Sequence, residues 1–410
     1  MQDSLSGPPS GGPDRPGDLA AWIIEAGLAG LSEIDLLRGF CERLAAAGMP
    51  LDRATAVIDT LHPVHEGRAF VWDARQSEST ETRTYGPTPA ESWRRSIFYH
   101  LLETGGTLLR RNLARGDPAD FPRIAEAREE GYTDHVNMVH RLGRETAIGE
   151  MDCVYSAWAT RAPEGFADED VRRIEALAPS LALAIKCASL ARVAETLVET
   201  YLGRDAGRRV LSGRIARGVA DEIGAVLWFS DLHGYTGISD TAEPHQIIPF
   251  LNDYAEAIIS AIHEAGGDVL KLIGDGTLAI FQAEEASHAC LCALKAERLA
   301  RERVGAVNAR RRAENLPVTE AYLGLHVGTV FYGNIGSHER LDFTVVGPAV
   351  NEVSRIAALC RSVERGVLLS SAFVAAAPPE ERERFVSVGR YALRGVSRAQ
   401  DLFTLDPESL

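Results

Sequence analysis

Two separated apolar runs constrain what the second half of this 410-residue chain can fold into. Val226-Leu-Trp-Phe-Ser breaks on Asp231 and passes through Leu232, Gly234, Tyr235, Thr236 and Gly237. Val269-Leu-Lys-Leu-Ile carries Lys271 in its middle and ends in Gly274-Asp275-Gly276. A short apolar run bounded by Gly and Asp reads as a buried strand ending at a turn. Two such strands, each closed by a carboxylate, can bring two acids to one edge of a sheet. Divalent cations on a triphosphate need such a place: few hard oxygen ligands from protein, the rest from phosphate and water. Either Asp alone reads as a turn residue, because turns favour Asp. The two together, with Lys271 four residues before Asp275, read as a ligand set.

Around these runs strand and helix alternate. Strands are expected at 223–230, 269–273, 277–281, 322–327, 342–346, 365–369, 385–388 and 401–404. Helices are expected at 244–264, stopped by Gly266-Gly267, at 286–303, and at 348–361 with Pro348 in the first turn. Asn351 and Arg355 are four apart on that last helix and share a face. Of 43 basic residues only Lys186, Lys271 and Lys295 are lysines. A lysine inside an apolar strand is thus an unusual choice for this chain. Burying an ammonium without a partner is costly, so Lys271 is expected to bind something specific.

These residues resemble the class III nucleotidyl cyclases, the adenylate and guanylate cyclases, over roughly residues 222–407. The resemblance implies an α/β sandwich with a ferredoxin-like core. It implies that Asp231, Asp275 and the carbonyl of Leu232 hold two Mg²⁺ or Mn²⁺ ions, and that the turn at Gly234, Tyr235 and Thr236 contacts the triphosphate. Lys271 and Thr344 match the base-recognition pair, Asn351 the ribose-orienting residue, and Arg355 the transition-state arginine. Adenine offers an N1 acceptor and an N6 donor, which suits an ammonium and a hydroxyl. The implied activity is adenylate cyclase, ATP to cyclic AMP and pyrophosphate. Guanylate cyclase and a non-catalytic nucleotide-binding signalling protein are the alternatives. In this family the metal ligands and the base, Asn and Arg residues come from different subunits, so a homodimer with composite sites is expected. The chain departs from some relatives at Thr329, where they place a phosphate-contacting Arg; Arg394 or Arg398 would take that role. Gly266-Gly267-Asp268 lacks the following Glu-Phe of diguanylate cyclases and reads as a helix stop.

The first half reads differently. Residues 1–18, rich in Gly, Pro and Ser, are expected to be a disordered tail. Helical spacing over 19–48, strands at 54–61 and 68–72, a helix at 93–102 and strand character at 147–159 follow. A closing amphipathic helix begins at Phe166-Ala-Asp-Glu-Asp, with Asp168 as its N-cap. This α+β order resembles a GAF-type sensory domain over 19–189, and a small-molecule ligand there is implied by the resemblance. No nucleophile, base or metal set is visible in it. His62, His65, His135 and His140 read as structural or surface residues. Residues 190–221 form a helical linker, read either as an amphipathic connector or as a parallel helix pair in a dimer.

A net charge of −15 argues against a general nucleic-acid binder. No apolar run approaches the ~20 residues that span a bilayer, and the N-terminus lacks the pattern of a signal peptide. A cytoplasmic protein with no membrane partner is the expectation. The six cysteines form no CxxC pair and are expected as reduced, mostly buried thiols.

Overall fold

The computed structural model describes residues 16–75, 79–84, 90–143, 151–396 and 398–406. It divides into two units, Met1–Leu197 and Val198–Leu410.

The first unit opens with α1 (Pro16–Leu28) and α2 (Glu33–Ala46), then β1 (Arg53–Asp59), β2 (His65–Asp73) and β3 (Ser79–Thr84). Next come α3 (Ala90–Arg94), α4 (Ile97–Thr104), β4 (Leu108–Asn112), α5 (Pro122–Glu129), β5 (Asp134–Arg141) and β6 (Cys153–Thr160). The closing α6 is Asp168–Leu202. The strands form one antiparallel sheet in the order β3-β2-β1-β6-β5-β4. Strand β1 alternates, so Ala54, Ala56 and Ile58 join α1, α2 and α6 in a core with Phe40, Trp158 and Leu181. On the opposite face Val139 and Tyr155 pack with Ile97, Leu101 and Ile124 of α4 and α5. The unit is α+β, with helices on both faces of its sheet.

Several expectations change here. Residues 1–15 of the expected tail, and 147–150 of the expected strand, lie outside the described residues; α1 already begins at Pro16. The helix expected at 93–102 is two helices, because Ser96 restarts the chain as an N-cap, its Oγ accepting from Tyr99 N at 3.1 Å. Asp168 is the first residue of α6 rather than its cap. Its carboxylate pairs with Arg110, while Asp170 reaches back to accept from Ala167 N at 3.0 Å. Helix α6 continues through much of the expected linker. It also holds an 18-residue window with a mean hydropathy of 1.5, so one helix is apolar and long enough to cross a membrane, contrary to expectation. Ile174, Leu177, Ala178, Leu181 and Ile185 of that stretch are buried in the core of the first unit.

The second unit begins with α7 (Arg204–Leu211), β7 (Ala220–Leu232), α8 (Tyr235–Thr241), α9 (Pro244–Glu264), β8 (Asp268–Ile273) and β9 (Gly276–Phe281). It continues through α10 (Ala286–Ala313), β10 (Ala321–Gly336), β11 (Leu341–Val346), α11 (Pro348–Val363) and β12 (Val367–Ser370). It ends with α12 (Ser371–Ala376), α13 (Pro379–Arg382), β13 (Phe385–Tyr391) and β14 (Gln400–Leu405). The sheet order is β13-β14-β12-β10-β7-β9-β8, with β11 paired to β10. Within it, β7-α9-β8-β9-α10-β10 is a βαββαβ unit with order β10-β7-β9-β8, the ferredoxin-like arrangement. Central β7 is covered on both faces. Val226 and Trp228 meet α9 and α10, whereas Ala225 and Leu227 lie in the core shared with α11. That double burial is why its sequence reads as a continuous apolar run.

Helix α10 runs to Ala313 rather than Arg303. Arg311 is buried and holds the extra turns, donating to Asp253 of α9 at 2.6 Å and to Pro317 O at 2.8 Å. Strand β10 is longer than expected, because its glycine-rich second half pairs with both β7 and β11. The helix stop at Gly266-Gly267 is as expected, with Gly267 N donating to Ile262 O at 2.9 Å.

Candidate active site

The end of β7 and the β8–β9 turn lie side by side because Ser230 pairs with Thr277 across the sheet. Asp231 follows the first and Asp275 precedes the second. Leu232 N donates to Asp275 Oδ2 at 3.2 Å, which ties the β7 end to the turn. The two carboxyl groups are within hydrogen-bonding reach of one another. Desolvation first, then the facing Asp275, raise the Asp231 pKa to about 6. Among the described residues neither carboxylate has a hydrogen bond or ion pair from a basic side chain. Two hard anionic oxygen donors forced together without a cation suit a divalent metal. No cluster of three or more His, Cys, Asp or Glu side chains that could hold a metal occurs among the described residues. Any ion here therefore depends on further oxygens from phosphate, water or the Leu232 carbonyl.

The chain then turns at Gly234, whose φ of +69° is open to glycine at little cost, and enters α8. The turn is held on both sides of the strand end: His233 N donates to Glu320 O at 2.8 Å, and Thr319 Oγ1 donates to His233 O at 2.6 Å. Tyr235 packs its ring near Phe250, centroids 6.2 Å apart. Thr236 is exposed. No side chain caps the start of α8.

Lys271 is not buried, which corrects the expectation drawn from its apolar surroundings. Strand β8 is the sheet edge, and a register shift between Val269 and Lys271 leaves Lys271, Leu272 and Ile273 exposed. Its ammonium does have a specific partner, the Asp342 carboxylate on β11. Asp342 is two residues before Thr344, so both occupy one face of β11. The pair thus brings the two expected base-recognition residues to one place. Sequence reasoning missed Asp342; period-two spacing before Thr344 was the available signal.

Asn351 and Arg355 occupy the exposed face of α11, while Val353, Ile356, Ala357 and Cys360 are buried beneath. The helix lies very close to β10 at Gly324. A Cβ there would stand 2.8 Å from both Ala357 N and Val353 O. Within one chain no hydrogen bond or ion pair joins Asn351 or Arg355 to the Asp231–Asp275 pair among the described residues. Thr329, Arg394 and Arg398 are all exposed.

The family model of the adenylate and guanylate cyclase catalytic domain matches residues 220–406. The chain is 31% identical over 180 residues to adenylate cyclase 1 of Rhizobium meliloti (strain 1021), covering 43% of this chain and 26% of that protein. It is 36% identical over 161 residues to an adenylate cyclase of Anabaena cylindrica, covering 38% of this chain and 31% of that protein. The chain thus spans about a quarter to a third of the length of these curated relatives. Among solved structures it is similar to the adenylyl cyclase CyaB from P. aeruginosa, at 23% identity and a TM-score of 0.42, covering 46% of this chain and 95% of that one. The family match starts at Ala220, the first residue of β7, and ends just past β14, so it coincides with the sheet that carries Asp231 and Asp275. The match to the adenylate and guanylate cyclase catalytic domain thus spans residues 220–406 of this chain.

Proposed function

We propose that the protein is a class III adenylate cyclase of the Lys/Thr base-recognition type, converting ATP to 3′,5′-cyclic AMP and pyrophosphate as a homodimer with two composite sites. The observation that carries this reading is the facing Asp231–Asp275 pair, which has no basic side chain against it among the described residues. Two Mg²⁺ or Mn²⁺ ions per site, held by Asp231, Asp275 and the Leu232 carbonyl, would supply Lewis acidity to the triphosphate and the ribose 3′-hydroxyl. Lys271 donates to adenine N1 and Thr344 accepts from N6. The turn at Gly234, Tyr235 and Thr236 offers backbone N–H groups to phosphate oxygens. Asn351 orients the ribose. Arg355, always charged and forked, meets the charge that develops as the 3′-oxygen bonds to the α-phosphorus and pyrophosphate leaves.

The dimer is supported by what one chain leaves uncovered. Leu272 and Ile273 beside Lys271, and the cross-strand pair Phe331–Val346 beside Thr344, are exposed apolar residues around the base-recognition face. Asn351 and Arg355 likewise face outward. The first unit, a GAF-like sensory domain in this reading, regulates turnover by binding a small molecule, and α6 leads from it toward the catalytic unit. The proposed compartment is the cytoplasm, where ATP is available and the six free thiols stay reduced.

One observation favours GTP as a second reading. Asp342 sets a carboxylate beside Lys271, and guanine N1–H needs an acceptor. Purified protein incubated separately with ATP and GTP, in Mg²⁺ and in Mn²⁺, beside Asp275→Ala, tests both. Cyclic AMP from the wild type alone supports the first reading. Cyclic GTP in its place supports the second, and nucleotide binding without product under every condition removes both.

A further inference from the structure

The first unit contains a cavity of about 300 Å³ between its sheet and helices α3, α4 and α5. That is roughly the share of liquid volume taken by ten waters, room for one substituted ring. The floor consists of two cross-strand rows. Arg53, Ala159 and His135 pair across β1, β6 and β5, and Thr55, Ala157 and Asn137 form the next row. Short side chains in the middle strand leave the space open. The roof is apolar where Ile97, Phe98 and Phe121 face it.

One feature of the floor is costly unless something polar enters. His135 is only 4% exposed and its Nδ1 has no hydrogen-bond partner among the described residues. Asn137, 1% exposed beside it, donates to Leu109 O at 3.4 Å. A strand serving only to pack would carry apolar residues at both positions, as the following row Val57–Tyr155–Val139 does. His135 is buried rather than at the surface.

The cavity also has a positive end. Arg53 is spent on Asp73 at 3.7 Å, and Arg123 on Glu126 and Glu130 at 3.1 and 2.9 Å. Arg95 lines the same space with no acidic partner among the described residues. The first turns of α4 and α5 line it as well, and α5 begins without a capping side chain. Helix N-termini favour negative charge.

We propose that this cavity binds a small aromatic monocarboxylate, its ring between Phe98, Phe121 and the Ala157–Ala159 floor, its carboxylate on Arg95, and a ring substituent or carboxylate oxygen on His135 Nδ1. It names a ligand class for the sensory role proposed above. The consequence for turnover rests on that reading, whereas the binding itself rests on the cavity.

The test is calorimetric titration and thermal shift on the full chain. Benzoate, 4-hydroxybenzoate and phenylacetate serve as probes, with benzamide and benzyl alcohol as neutral counterparts. At least one acid is expected to bind and raise Tm, with the neutral analogues about tenfold weaker or more. Arg95→Gln, at an exposed position that leaves the fold intact, is expected to weaken the acid by about tenfold, the scale of one lost charge-assisted hydrogen bond. Ala157→Leu fills the floor and abolishes binding. Absence of binding by every acid in the millimolar range overturns the inference. So does equal binding of benzamide, or an Arg95→Gln protein that binds as the wild type does. Because binding is read without turnover, an inactive catalytic unit is a separate result that counts only against the proposed function.

Discussion

The Lys271 ammonium donates to the Asp342 carboxylate, joining the edge strand β8 to the β11 strand that carries Thr344. Both groups are substantially exposed, so the pair adds little to stability. Its consequence is positional: it holds the ammonium near Thr344 before any base arrives. Asp342→Asn should raise KM for ATP about three- to tenfold with a smaller change in kcat, and leave the thermal midpoint within a degree or two. Steady-state kinetics with ATP and GTP check this. An unchanged KM for both nucleotides removes Asp342 from base recognition.

The Asp231–Asp275 pair predicts opposite effects on activity and stability. Desolvation foremost, and the facing Asp275 carboxyl after it, make the charged Asp231 costly in the folded chain without bound metal, as its raised pKa indicates. Asp275→Asn should abolish cyclization yet raise metal-free stability slightly, by about 1 kcal/mol or less, since the site is open to solvent. Chelation with EDTA should silence the wild type. Chemical denaturation and cyclic nucleotide assays on the same preparations provide both readouts.

Shared sites make a quantitative prediction for mixtures. Asp231→Ala and Arg355→Ala proteins, each inactive, form heterodimers in which one of two sites is intact. If subunits exchange freely at equal concentrations, half the dimers are mixed, and about a quarter of wild-type activity should return. Demonstrated subunit exchange without recovered activity would place the residues of each site in one chain.

Gly324 tests whether the position of α11 matters. Its missing Cβ admits the backbone of Val353 and Ala357, and the helix carries Asn351 and Arg355 on its far side. Gly324→Ala should cost about 1–3 kcal/mol by overpacking and lower kcat. Gly305→Ala, inside α10 with open space around it, is the control and should stabilise by about 0.5–1 kcal/mol.

Histidine burial sets a pH dependence for the first unit. Desolvation foremost, with a Coulombic contribution from Arg123, lowers the His135 pKa from 6.5 to about 4; desolvation alone does the same for His140. Between those values the unfolded chain binds protons that the folded chain does not. Stability therefore rises with pH across the window and is lost as pH falls from about 6.5 toward 4. The loss for His135 is on the order of 3 kcal/mol. Urea midpoints measured from pH 7.5 to 4.5 should fall for the wild type and less steeply for His135→Gln.

Local sequence determined much of the catalytic unit. Glycine and aspartate punctuation located Asp231 and Asp275, and helical spacing put Asn351 and Arg355 on one face, because turns and helix periodicity are short-range properties. Other features required the tertiary structure. The apolar runs of β7 and β8 look alike in sequence, yet one lies in mid-sheet and the other at the edge, which decides that Trp228 is buried and Lys271 exposed. Strand pairing selected Asp342 as the lysine's partner from 71 residues away. In the first unit, ordinary residues such as His135, Asn137 and Ala157 become one cavity floor only when three strands set them in register. Cross-strand register depends on the packing of the whole sheet, and no local pattern carries it.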